Sequence, residues 1–200
     1  MGLEINYYEG QTPLDEDEKE GLLIPSISTR QELDEHEQQN IEQAIRWTFE
    51  RKKRFTLEEV LSVEFICELH ARMLGNVWQW AGNFRSTNKN IGVDKYSIRQ
   101  DLRVLLDDVR FWIQQKTFPP DEIAIRFKHR LVSIHCFPNG NGRHSRLVAD
   151  ILIEKIFGAE VFTWGSINLI HQTAFRSLYL KALRNADVGN FDQLLVFSRS

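Results

Sequence analysis

Residues capable of chemistry are concentrated in one stretch of this chain, His135-Cys136-Phe137-Pro138-Asn139-Gly140-Asn141-Gly142-Arg143-His144-Ser145-Arg146. A histidine precedes a glycine-punctuated turn, and the turn feeds an arginine-bearing segment. Leu147, Val148, Ile151, Leu152 and Ile156 recur there at helical spacing, which predicts a helix beginning near Gly142 or Arg143. The first N–H groups of such a helix point back at the turn and can hold an anion. Arginines near that end are unfavourable by roughly 0.3 to 1 kcal/mol each. Arg143 and Arg146 lie three apart on one face, and a phosphate between them and the loop amides offsets that cost. Gly140 and Gly142 let the backbone approach an oxygen closely. His135, with an ordinary pKa of about 6.5, is largely neutral at pH 7 and able to accept a hydroxyl proton. The whole reads as a base beside a phosphate cradle. Cys136 is adjacent in sequence to His135, but neighbouring residues point to different sides, so a buried free thiol is the preferred reading over a nucleophile.

Several elements must position this stretch. Residues 1–28 are polar and acidic, with Pro13, Pro25 and the run Asp15 to Glu20, and read as an irregular arm with at most a helical turn. Residues 29–200 read as one domain. Ile41, Ala44, Ile45, Thr48 and Phe49 form a helical stripe behind the polar Glu32 to Gln43. A second helix is predicted from about Leu57 or Val63 to Met73, with Phe65, Ile66, Leu69 and Met73 inward. Asn88-Lys89-Asn90 separates Phe84 to Thr87 from Ile91-Gly92-Val93, which predicts a short hairpin whose open edge can recruit an extended peptide. Ile98, Leu102, Leu105, Leu106, Val109, Trp112 and Ile113 share one side of a core helix. Asp121 is the expected N-cap of the next helix, which carries Ile123, Ile125, Phe127, Leu131, Val132 and Ile134 and delivers His135. Helices are also predicted over Asn168 to Ala186 and Phe191 to Phe197. The expected fold is all-α, a helical bundle with one small β-hairpin.

The bulk properties narrow the function. With 200 residues and 42% hydrophobic content the chain can bury one substantial core. A net charge of −3 gives no overall basic field, which argues against duplex nucleic acid as a partner. No apolar run reaches membrane-spanning length and the N-terminus lacks the regions of a signal peptide, so a cytoplasmic location with no membrane contact is expected. Two cysteines, Cys67 and Cys136, suggest neither a disulfide frame nor a zinc site.

The motif resembles the signature of the Fic family, His-x-Phe-x-[Asp/Glu]-Gly-Asn-Gly-Arg-x-x-Arg, and differs from it only at Asn139. Glu9 to Asp15, Trp80-Ala81-Gly82-Asn83-Phe84-Arg85 and Asn90-Ile91-Gly92-Val93 are similar to the subgroup called mobile mystery protein B. The resemblance implies a Fic-type bundle with a flap at about residues 83–97, and a protein adenylyltransferase that uses ATP and Mg²⁺. His135 would take the proton of a Ser, Thr or Tyr hydroxyl on a target protein. Gly140, Asn141, Gly142, Arg143 and Arg146 would hold the phosphates, and Asn90, Ile91, Gly92 and Val93 would dock the target.

Two departures matter. Asn139 replaces the acidic residue that would hold Mg²⁺, and a neutral amide is a weaker ligand for a hard cation. This leaves open AMP transfer with weak metal binding, another phosphate donor and phosphotransfer, or a nucleotide-binding module, such as half of a toxin and antitoxin pair. The family also carries an inhibitory motif, [Ser/Thr]-x-x-x-Glu-[Gly/Asn], which Ser28-Thr29-Arg30-Gln31-Glu32-Leu33 matches in part. Glu32 is then either an inhibitor acting on Arg146 or, as the residue pattern favours, one half of a capping box. The polar arm, residues 1–28, is placed either to fold over the site or to contact another subunit, and an antitoxin or a second copy of the chain is a candidate partner of the protein.

Overall fold

The computed structural model describes residues 13–50, 54–165 and 172–200. Its helices are α1 (Glu16–Lys19), α2 (Arg30–Phe49), α3 (Leu57–Val60), α4 (Val63–Leu74), α5 (Ile98–Gln115), α6 (Pro120–Ile134), α7 (Asn141–Ile151), α8 (Gln172–Asp187) and α9 (Asp192–Ser198). A π-helical turn, Leu152–Ile156, extends α7. The Glu9 to Thr12 part of the resemblance and the helix predicted over 168–171 lie outside the described residues.

α6 is the axial element. It packs between α5 and α7, while α2 packs on α4 and α8 on α9. Its Ile123, Ala124, Ile125, Phe127, Leu131 and Ile134 are all buried. On α5, Leu102, Leu105 and Val109 are fully enclosed, each stabilising the fold by roughly 1.5 to 3 kcal/mol. Trp112 and Ile113, predicted on the same side, are only partly covered. The start of α6 differs from expectation. Pro120, whose missing N–H costs nothing in a first turn, is the first helical residue, and Asp121 follows it inside the helix.

Thr29 and Glu32 form a reciprocal capping box at the start of α2. Glu32 accepts from the Ser28 amide at 2.9 Å and the Thr29 amide at 3.0 Å, which pull its pKa down to about 2. The inhibitory role considered for Ser28 and Glu32 is therefore not what the geometry supports: both are exposed, and both are committed to the helix end.

The predicted hairpin does not form, and no strand occurs among the described residues. The two limbs of residues 83–97 pair instead with the end of α6. The Arg85 amide donates to the Cys136 carbonyl at 3.0 Å, and the Val93 amide to the Ile134 carbonyl at 3.3 Å. Between the limbs stands the Arg85 guanidinium. It donates to the carbonyls of His135 at 2.7 Å and Thr87 at 2.8 Å and to that of Val93. One buried side chain thus replaces the ladder. The arm is not detached either. Leu14 and Ile27 enter the core, and Leu22 forms an isolated antiparallel bridge with Trp78.

Candidate active site

His135 ends α6 in the left-handed conformation, with φ of 58°. That conformation is uncommon outside glycine and turns the chain sharply into the motif loop. The side chain is 4% exposed. Burial pushes its pKa down to about 4, aided by the nearby cations Arg85 and Lys89 and opposed by a hydrogen bond with the Val132 backbone. The imidazole is therefore neutral at pH 7. Gly92 crosses directly over it: with φ of 102°, a Cβ there would fall 2.6 Å from the His135 Cβ.

The loop after His135 is held from within and from below. The Asn141 side chain accepts from the Phe137 amide at 3.0 Å and donates to the Phe137 carbonyl at 2.8 Å, so both its polar atoms shape the loop. Phe137 is fully buried and stacks on His70, with ring centroids 3.7 Å apart. His70 receives the Gly82 amide on Nδ1 at 2.9 Å, so its Nε2 carries the proton and donates to the Asn139 carbonyl at 3.0 Å. His144 lies edge-on to both rings and hydrogen-bonds the Ile66 carbonyl at 3.0 Å through Nε2. Burial drives His70 well below its ordinary pKa and His144 down to about 3. Cys136 is buried and pushed up to about 12, an unreactive thiol.

Gly140, at φ of 77°, precedes α7 and supplies no side-chain cap. Among the described residues, the amides of Asn141, Gly142 and Arg143 donate to no protein group. A Cβ built on Gly142 meets no atom within 4 Å. Uncapped amides at the positive end of a helix can hold an anion.

The two arginines are separately supported. Arg143 pairs with the buried Glu37 of α2 at 2.7 Å, and Glu37 also accepts from the Trp78 indole at 2.6 Å. Arg146 lies 5.8 Å from the Tyr179 ring of α8, and Tyr179 in turn accepts from the fully buried ammonium of Lys128. Asp150, one turn beyond Arg146, takes the Trp164 indole at 3.0 Å, yet burial still pushes it up to about 6.

The predicted His135, Gly140, Asn141, Gly142, Arg143 and Arg146 thus converge, with Gly92 and Val93 over His135 and with Asn90 and Ile91 exposed beside them. Magnesium is less well served. The Asn139 Oδ1 accepts from the Gly140 amide at 2.6 Å, and among the described residues no group of three or more His, Cys, Asp and Glu side chains could hold a metal ion. The residues present do not fit a protein-held Mg²⁺. His70, Glu37 and Lys89 were not singled out from sequence, although Glu37 sits between Leu33 and Ile41 on the inward stripe of α2, where an acid is anomalous.

The sequence pattern of the Fic/DOC family matches residues 60–153, which includes His135 and Arg146. The chain is 29% identical over 143 residues to the protein adenylyltransferase Fic of Aedes aegypti, covering 70% of this chain and 27% of that protein. It is 33% identical over 109 residues to the protein adenylyltransferase Fic of Drosophila grimshawi, covering 52% of this chain and 21% of that protein. The chain thus spans about a quarter of the length of these Fic relatives. In fold, the chain resembles Fic-1 from C. elegans, with a TM-score of 0.65 at 24% identity over 90% of this chain and 50% of that one. It also resembles BepC from Bartonella tribocorum, solved with bound AMPPNP, with a TM-score of 0.66 at 16% identity over 96% and 93% of the two chains.

Proposed function

We propose that the protein transfers AMP from ATP to a Ser, Thr or Tyr hydroxyl of a target protein in the cytoplasm. The observation that carries this reading is a neutral, buried His135 at the mouth of an uncapped helix N-terminus bearing Arg143 and Arg146. The relatives named as adenylyltransferases support it. The phosphates rest on the amides of Asn141, Gly142 and Arg143, with the two guanidinium groups neutralising the leaving end. The target hydroxyl attacks the α-phosphorus, His135 takes its proton, the bond from the α-phosphorus to the bridging oxygen breaks, and pyrophosphate leaves. Fixed amides and arginines supply most of the barrier reduction, and the base contributes about 10² to 10⁴-fold. An incoming polyphosphate also raises the basicity of His135, because a nearby anion favours the imidazolium.

The ATP would bring its Mg²⁺ on its own phosphates, since Asn139 offers at most a neutral oxygen. Asn90, Ile91, Gly92 and Val93 dock the target beside His135. The backbone N–H groups of residues 86–92 donate to no backbone carbonyl among the described residues, so they are available to an extended acceptor segment. Similarity to the mobile mystery protein B subgroup is proposed from Glu9 to Asp15, Trp80 to Arg85 and Asn90 to Val93.

The test is incubation of the protein and of His135→Ala with ATP labelled at the α- or γ-phosphate and a cell lysate. Label transferred from the α-phosphate, and lost in His135→Ala, is the expected result. Transfer from the γ-phosphate would instead identify a phosphotransferase, and ATP binding with no transfer a nucleotide-binding module.

A further inference from the structure

We infer that residues 13–18 act as a strap that positions the docking segment through Lys89, so that acceptor binding, and not nucleotide binding, depends on Asp15 and Glu18. This rests on the proposed role of residues 90–93. Lys89 lies at the middle of the segment, yet its side chain is only 3% exposed. Its ammonium donates to the Asp15 carboxylate at 2.8 Å and to the Glu18 carboxylate at 2.5 Å. Thr87 adds a hydrogen bond to the same Asp15 oxygen at 2.7 Å. Burying an ammonium costs several kcal/mol unless partners are held ready for it.

Those partners are fixed in advance. Glu18 accepts from the Asp15 amide at 2.8 Å, and its carbonyl accepts from the Trp80 indole at 3.0 Å. Beyond α1 the strap continues along residues 77–79, with the Gln79 amide donating to the Gly21 carbonyl at 2.8 Å and the Leu23 amide to the Val77 carbonyl at 2.9 Å. The base of the segment is held at Arg85 and Val93, as described above. Thr87 and Lys89 carry the long-range side-chain bonds of its tip, and both reach the strap. Asn90 and Ile91 follow Lys89 directly, so where Lys89 sits determines where they are presented. The phosphate cradle is supported by α2, α4, α6 and α8 instead. The bond from Lys89 also holds the Asp15 carboxyl below its ordinary pKa, as expected of a formed pair.

The experiment compares wild type, Lys89→Met and Asp15→Asn for hydrogen exchange at the amides of residues 86–92, for the Kd of ATP and for the KM of the acceptor. Lys89→Met leaves Glu18 buried without its cation, so Lys89→Met with Glu18→Gln is the neutral control. Expected are exchange at residues 86–92 faster by about tenfold, an acceptor KM raised several-fold, and an ATP Kd within about twofold of wild type. Unchanged exchange, or an ATP Kd that rises in step with the acceptor KM, would overturn the inference. A wild type that binds ATP but labels nothing would refute the transferase reading alone. In that case the exchange comparison still decides whether the strap holds the segment.

Discussion

Arg143 already holds one anion, Glu37, and the proposed phosphate would be a second. In the structure Glu37 occupies it, with one oxygen on the guanidinium and the other on the Trp78 indole. A phosphate entering the α7 cradle must share or displace that carboxylate. Glu37→Gln keeps an acceptor for Trp78 and removes the competing charge. ATP affinity should therefore rise several-fold, measured by calorimetry, while stability falls by roughly 1 to 3 kcal/mol through the lost charged hydrogen bond. Weaker ATP binding would show that Glu37 orients Arg143 rather than competing for it. None of this could be read from the local sequence, where Glu37 is one of several acids in a polar run. Its partners are 41 and 106 residues away, and only its place on the inward face of α2 sets it apart.

At the level of elements, the cradle depends on how closely α7 begins against α4. Gly140 adopts φ of 77°, and a Cβ there would stand 2.6 Å from Leu74 Cδ1 and 3.3 Å from His70 Nε2. Gly140→Ala should cost roughly 1 to 3 kcal/mol in urea unfolding, combining backbone strain with overpacking, and should weaken ATP binding as the loop shifts off His70. An unchanged unfolding midpoint would mean that α7 can slide away from α4. Here the sequence was informative. The stripes on α5 and α6, and the run from Leu147 onward, identified helices because each has one continuous buried face. The hairpin misled for a physical reason. Two short limbs around Asn88-Lys89-Asn90 suit a β-turn, but a limb can equally satisfy its amides on the carbonyls of another element, as Arg85 and Val93 do on Cys136 and Ile134. Which carbonyls lie within reach is a property of the assembled fold.

For the molecule as a whole, the apolar interior also encloses uncharged imidazoles. His70, His129, His135 and His144 all have folded pKa values below the ordinary histidine value, with burial as the first cause. Between about pH 6.5 and 4 the unfolded chain binds protons at these positions that the folded chain refuses, so stability falls as pH falls through that window. Asp150 opposes this. Its folded pKa is raised to about 6, so between the ordinary aspartate value and pH 6 acid favours the folded state at that site. With four groups against one, the unfolding temperature should drop on acidification below pH 6.5. A flat profile between pH 7 and 5 would contradict the neutral assignment of the His70, Phe137 and His144 cluster.

The absence of a β-ladder at residues 85–93 separates what holds the proposed docking surface from what it displays. In a hairpin, each exchanged residue also affects pairing, twist and register. Here the fixed positions are Arg85, Thr87, Asn88, Lys89 and Val93, through side-chain and limb contacts. Asn90 and Ile91 are exposed and carry none of them. If residues 90–93 dock the target as proposed, these two can be exchanged as a cassette, and variants differing only there should shift acceptor preference while the fold, read by the unfolding midpoint, stays unchanged.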